Sequence, residues 1–356
     1  MKTITKIFGL LFGASLLFTS CTDNTVNPPE PLGAYEDGLF VCNEGPFMNG
    51  TGTLTYVSYD LATVEQNVYK TVNGGEDLGN IVQSISFEGD NAYIVVNNAH
   101  KVVVANRYTM EKVAEITADL ENPRYFIAAS ATKGYVSCWG NAFDATDDFI
   151  AVVDLTTNTV TSTIPVDLGP EKMVSYNDKV YIAHQGAYGQ NNIISVLDSA
   201  TDAVSTTITV GDVPNSIVLD ANNMIWVLCG GTPAWAGTET IASLYKINTT
   251  TDAVVSNFDF TLGNHPSHLT LDKPMGEMYY ALTGGVYKVN TNASMLPMAP
   301  IFNGNYYNMA VHNRKLYATD ASDFASEGTL HVIDLTNTSV RNTVATGIIP
   351  GNVNFN

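Results

Sequence analysis

The chain has 356 residues, 45% of them hydrophobic, with 16 basic against 35 acidic side chains and a net charge of −19. That balance offers no basic footprint for a phosphate backbone and excludes nucleic acid as a partner. A composition rich in Thr, Val, Asn, Gly and Tyr favours strands and turns, and past residue 20 no run combines helical periodicity with caps.

In chain order, Lys2 and Lys6 form a basic region, and Ile7 to Phe18 an apolar stretch too short to span a bilayer. Thr19 and Ser20 lead into Cys21, which is similar to a bacterial lipoprotein signal; cleavage before the cysteine would make Cys21 the lipidation site. An ordinary secretory signal beside a coincidental cysteine is the competing reading, and Phe18 is bulkier than the Leu usual at its position. CTDNTVNPPEP (21–31) reads as a polar, Pro-rich tether. The expected division is a signal peptide over 1–20, a flexible tether over 21–37 and a folded remainder over 38–356. Cys42, Cys138 and Cys229 are odd in number, which argues against a full disulfide framework and for small buried hydrophobes.

GLFVCNEG (38–45) resembles the end of a unit whose front half is absent from its own end of the chain. The unit recurs most clearly at 150–186 and 193–231, more weakly at 54–98, 101–140, 243–284 and 286–323, and a seventh copy begins at Leu330. Each copy carries about four strands with a Gly or Pro kink, and the seventh stops before its last strand. Residues 38–45 supply that strand from the other end of the chain. A 40–50-residue period with about four strands per unit predicts an all-β, seven-bladed β-propeller closed by an N-terminal strand that completes the last blade. An open solenoid is the alternative, but it has no use for the N-terminal strand.

Labelling each blade's strands A to D from the axis outward, the copies read C–D–A–B. The C–D turns TTNT (156–159), SATDA (199–203) and TTTDA (249–253) are interchangeable hairpin chemistry. The B–C and D–A connections share the other face, and they collect aromatics, histidines and amides. Loops that keep many exposed aromatics read as a binding surface. Candidate contacts are Phe47, Trp139, Phe143, Tyr188, Trp235, Tyr306 and Tyr307 by stacking, and Asn43, Arg124, His184, Gln185 and His265 by hydrogen bonding.

Other chemistry is weaker. Cys138, His184 and Cys229 occupy matching positions of three blades and suggest zinc on paper, but neighbouring blades pack about 10 Å apart while zinc ligands lie within about 4 Å of one another. DATDD (144–148) offers Asp144, Asp147 and Asp148 to Ca²⁺ without EF-hand spacing, so a solvated loop is the preferred reading. HPSH (265–268) lacks the helix and spacing of a metalloprotease motif. No nucleophile elbow, Walker loop or dinucleotide loop is present. The expectation is a binding protein, not an enzyme, with no cofactor and no metal.

DLTTNTVTSTIPV (154–166) resembles the broad class of exported YVTN (YncE-like) propellers. NEGPF (43–47), VVNNAH (95–100), NPRYF (122–126), the Asp320 region and GIIPG (347–351), in that order over residues 38–356, are similar to a group of Bacteroidetes surface lipoprotein propellers. The best understood members of that group bind corrinoids and sit over a TonB-dependent transporter. The resemblance implies capture of a corrinoid such as cobalamin for that transporter, at the cell surface and on a lipid anchor in the outer membrane. Only Asp23 is an acidic neighbour of Cys21, which leaves a periplasm-facing anchor open. Two rivals remain: a glycan- or protein-binding propeller, and an enzyme of the lactonase or quinoprotein sort.

Overall fold

In Gly38–Asn43, Leu39 and Val41 face one side, Phe40 and Cys42 the other, and all four are buried. A strand covered on both faces has to lie between two other sheets. The computed structural model describes residues 30–356 except 48, 142 and 340, so the expected signal peptide, Cys21 and most of the expected tether lie outside the described residues.

Seven four-stranded antiparallel sheets form, each made of strands A to D in order. Blades 1 to 6 run along the chain as 82–116, 123–165, 170–209, 214–259, 267–303 and 308–348. Blade 7 is built from both ends: Pro350–Phe355 is strand A, and Gly38–Asn43, Thr53–Ser58 and Val64–Glu65 follow outward. Leu39 pairs with Phe355 and Val41 with Val353. The A strands touch in a closed ring, with blade 7 against blade 1. This is the predicted seven-bladed propeller, and its closing strand is the one the repeat count requires. A short helix, Val68–Val72, which periodicity does not reveal, packs Val68 and Tyr69 into the core beside blade 7.

Each of the seven blade interfaces holds one apolar cluster. Cys42, Cys138 and Cys229 fall in three different clusters, buried and unpaired among the described residues, and burial pushes each thiol well up. Small polar side chains tie the blades together near the axis. Ser84 Oγ donates to the Arg124 carbonyl (2.9 Å), Ser137 Oγ to that of Glu171 (3.0 Å), and Ser216 Oγ accepts from Leu269 N–H (3.1 Å). Thr270 Oγ1 accepts from Val311 N–H (3.0 Å), and Asn308 and Asn354 reach the Gly351 and Ile85 carbonyls.

On the opposite face the interchangeable turns have a purpose of their own. Asp202 and Asp252, both in the left-handed region, take an ion pair and a tyrosine hydroxyl from the preceding blade: Lys133 with Tyr135, and Lys179 with Tyr181.

Residues 33–37, expected as the end of a flexible tether, are instead fastened. Tyr35 is buried against Phe40 and Tyr56, its N–H donates to the Tyr108 carbonyl (3.0 Å), and its hydroxyl donates to Glu65 (3.0 Å). A single large aromatic ring with a place to go outweighs the polar composition around it.

Asn43 belongs to this closure. It is fully buried; its Nδ2 donates to Thr53 Oγ1 and Thr55 Oγ1 (3.0 Å each), and its Oδ1 accepts from Gly347 N–H (3.0 Å). Asn43→Ala strands those partners and is expected to cost about 1–3 kcal/mol, read as a lower urea midpoint at unchanged slope.

Candidate functional site

The site begins with the joints that lead into the A strands. Ile81, Asn122, Gly169, Val213 and Ile349 adopt φ of 60°, 47°, 70°, 59° and 54°. A β-branched residue there is strained by about 1–3 kcal/mol and persists only where its surroundings fix it. What fixes it is a repeated hydrogen bond. Each joint carbonyl accepts from a loop N–H just beyond strand B, the first in four blades and the second in blade 3: Asn97 to Ile81 and Gly230 to Val213 at 2.8 Å, Glu44 to Ile349 at 2.8 Å, Trp139 to Asn122 at 3.2 Å, Gly186 to Gly169 at 3.4 Å. At Gly169 a Cβ would run into the backbone of Gly186 and Ala187.

Immediately after each joint the A strand slips register. The slips leave Gln83, Arg124 with Tyr125, Glu171 with Lys172, Asn215 and Gly351 outside the ladder in blades 1, 2, 3, 4 and 7. Blade 5 has a similar slip around His268, itself at φ 59°. A bulge re-aims its side chain, and here the bulges line a shared space. That space is a cavity of about 940 Å³ at the channel mouth, with residues from all seven blades in its wall.

The wall is polar and internally paired. Arg124 Nε donates to Glu171 Oε1 (2.8 Å), its NH1 to Gln83 Oε1 (2.6 Å), and its guanidinium lies 4.0 Å from the Trp139 ring centroid. Burial works against the Arg124 charge, but Glu171, Tyr125 and Glu44 together outweigh it and hold the guanidinium above its ordinary value. Across the mouth, Tyr307 donates to Glu44 Oε1 (3.0 Å); burial raises the Glu44 carboxyl although Tyr307 and Arg124 oppose it. The rim is aromatic: Phe143 stacks on Tyr188 at 5.7 Å, and Trp139 meets Tyr188 edge-on at 5.9 Å. The buried Trp139 Nε1 has no hydrogen-bond partner among the described residues.

A family model described as a domain of unknown function, DUF5074, matches residues 37–321. The chain belongs to the DUF5074 family. The seven-bladed beta-propeller protein Rv1057 of Mycobacterium tuberculosis is 32% identical over 150 residues, 41% of this chain and 35% of that protein, so the match spans about a third of the relative. A functionally unknown protein from Desulfotomaculum acetoxidans superposes with TM-score 0.66 at 14% identity over 90% of this chain and 98% of that one. The periplasmic gluconolactonase PpgL of Pseudomonas aeruginosa superposes with TM-score 0.63 at 10% identity, covering 89% and 99%. At those identities the likeness is one of fold.

Within this DUF5074 propeller, Phe47, Arg124, Trp139, Phe143, Gln185, Tyr188 and Tyr307 gather in the cavity wall. The other candidates lie elsewhere. Asn43 serves the ring closure. His184 is fully buried, its Nδ1 2.8 Å from the Asp167 carbonyl, and burial lowers it, so it stays neutral. His265 braces the blade 4 loop through the Gly230 carbonyl (2.8 Å) and Glu239 (3.2 Å). Trp235 on that loop is 88% exposed, away from the cavity, and Tyr306 packs edge-on against His331.

Glu44, Gln83, Glu171, Lys172, Asn215, His268 and Asn308 line the cavity without having been expected. A signal for several of them exists in the repeat: Gln83, Arg124, Glu171, Asn215 and Gly351 each stand two residues after a joint.

Among the described residues no group of three His, Cys, Asp or Glu is placed to hold a metal. In the 144–148 loop the carboxylates point to separate partners: Asp144 to Thr146, Asp147 to Asn141 N–H, and Asp148 to Gly169 N–H. Asp148 is buried, its second oxygen is unpartnered, and burial pushes it from 3.8 up to about 6. A folded value above the unfolded one means the native state holds the proton more tightly, so this stability is full below about pH 4 and lost as pH rises through about 6. Melting temperature is expected to fall across that window, and Asp148→Asn to flatten the fall. Glu44 shifts in the same direction, so the variant removes only the Asp148 share.

Proposed function

We propose that this propeller is a non-enzymatic, lipid-anchored capture protein at the cell surface. Its ligand is a corrinoid such as cobalamin, handed on to a TonB-dependent outer-membrane transporter. The observation that carries this reading is the mouth cavity: about 940 Å³, lined from every blade, with an aromatic rim over a floor of amides and paired charges. Its size sits near the top of the roughly 300–1,000 Å³ usual for small-molecule sites. A corrin macrocycle offers flat apolar faces to Phe143, Tyr188 and Trp139, and its amide arms suit Gln83, Asn97, Asn215 and Gln185. The wall residues are held by bulges and cross-blade bonds before any ligand arrives, which spares the cost of ordering them on binding. The resemblance of the NEGPF, NPRYF and GIIPG segments to surface lipoprotein propellers supports the anchor and the transporter partner.

A glycan is the second reading, and the exposed indole of Trp235 outside the cavity is what favours it. Calorimetry separates the two. Cyanocobalamin is expected to bind the purified protein one-to-one with nanomolar or tighter affinity. Trp139→Ala and Tyr307→Ala should each weaken it by roughly 30-fold, the share of a buried aromatic anchor. No heat and no co-purifying colour at high cyanocobalamin would sink the corrinoid reading, and saccharide binding lost in Trp235→Ala would put the glycan reading in its place.

A further inference from the structure

The charged groups of the mouth are not all paired. Arg124 has Glu171, and Glu44 has Tyr307. Lys172 and His268, from the bulges of blades 3 and 5, also line the cavity, but among the described residues neither side chain has a hydrogen bond or an ion pair. Glu171, the chain neighbour of Lys172, is already committed to Arg124 at 2.8 Å. Two donors of potential positive charge therefore face one partly enclosed space, and among the described residues no acceptor is hydrogen-bonded or ion-paired to either. A half-buried ammonium without a counter-ion is costly unless something else supplies the charge.

We propose that Lys172 and His268 form an anion-accepting position in the wall of this cavity, built for a phosphate-class oxyanion. The flanking residues suit that role. Asn215 of blade 4, between the two in blade order, lines the same wall, its Nδ2 held 2.9 Å from the Pro266 carbonyl. Of the acids that share the cavity, Glu44 and Glu171 are each engaged, and Glu121, with His100, also lines the neighbouring pocket. Burial lowers the Lys172 ammonium against the partial support of the neighbouring Glu171 charge, and burial together with the Lys172 charge takes His268 down to about 3. An oxyanion bridging the pair would reverse both shifts, since it stabilises the protonated forms. Where the ligand is a corrinoid, the group that fits is the phosphodiester of the nucleotide arm; that half rests on the function proposed above, whereas the anion position itself does not.

The test has two arms. With histidine-labelled full-length protein, inorganic phosphate is expected to move the His268 ring resonances and raise its titration, leaving the buried His184 unchanged. Lys172→Met, which removes the charge at similar length, should abolish that response while melting no lower than the wild type, since it also removes the cost of the uncompensated charge. A His268 that ignores high phosphate overturns the proposal, as does a response that survives in Lys172→Met, which would mark an adventitious ion only. In the second arm, Lys172→Met should weaken cyanocobalamin by roughly tenfold or more, the worth of a charge-assisted bond, and leave dicyanocobinamide, which lacks the phosphodiester, unchanged. A phosphate response with no corrinoid binding retires the corrinoid reading alone. Corrinoid binding equally affected, or equally unaffected, by Lys172→Met for both compounds retires the phosphodiester assignment alone.

Discussion

Everything in this molecule depends on one strand pairing, between Pro350–Phe355 and Gly38–Asn43. Seven apolar interfaces exist only if the ring is closed, because each blade buries both faces against its neighbours. Without that pairing, blade 7 loses its innermost strand, and the faces of blades 1 and 6 that it covers meet water. The chain makes this seam stronger than an ordinary ladder. Asn43 adds bonds to Thr53, Thr55 and Gly347, and the Tyr59 hydroxyl donates to the Asn356 carbonyl (3.1 Å). A closed ring has no exposed edge at its axis, which is how the fold escapes the pairing hazard of open sheets.

Closure also creates the site. A channel lined by seven A strands would present only ladder-paired backbone and alternating side chains. The left-handed joints and the register slips that follow them break this regularity on the loop face. There the backbone bends, and the side chains freed from the ladder turn toward the axis. The strain at Ile81, Val213 and Ile349 is sustained by the joint-to-loop hydrogen bonds, so the same bonds that hold the strain also set where each B–C loop begins. Position and distortion are thus two results of one repeated contact.

Much of the fold was legible in the sequence because repetition averages out noise: strand order, blade number and the closing strand all follow from seven weak copies. The tether boundary was not, because a single ring at Tyr35 decides it. The site was legible in part, and side-chain parity explains which part. At the end of strand B, residues 43, 138, 184 and 229 point between blades, while 44, 139 and 185 follow the turn to the axis. A period of two reverses direction with each step. Asn43 and His184 are therefore one residue away from Glu44 and Gln185, which do line the cavity. Aromatics of the loops, such as Phe143 and Tyr188, were readable from composition. The bulge residues Glu171, Lys172 and His268 were hidden inside what reads as regular strand.

The division of labour that results has a physical logic. The floor is built mainly from A-strand side chains whose backbone is fixed by the ring, and it carries Arg124, Glu171 and Lys172, where misplacement is most costly in a partly enclosed space. The rim is built from loops such as those bearing Phe47 and Phe143, 66% and 91% exposed, where contact is apolar and tolerant of small shifts. A rigid polar floor discriminates among ligands because it leaves unpaired groups when the wrong one binds, and an aromatic rim adds affinity with little demand on geometry. Variation among propellers of this kind should then alter the rim more freely than the floor, since any floor substitution must also satisfy the joint and bulge that hold it.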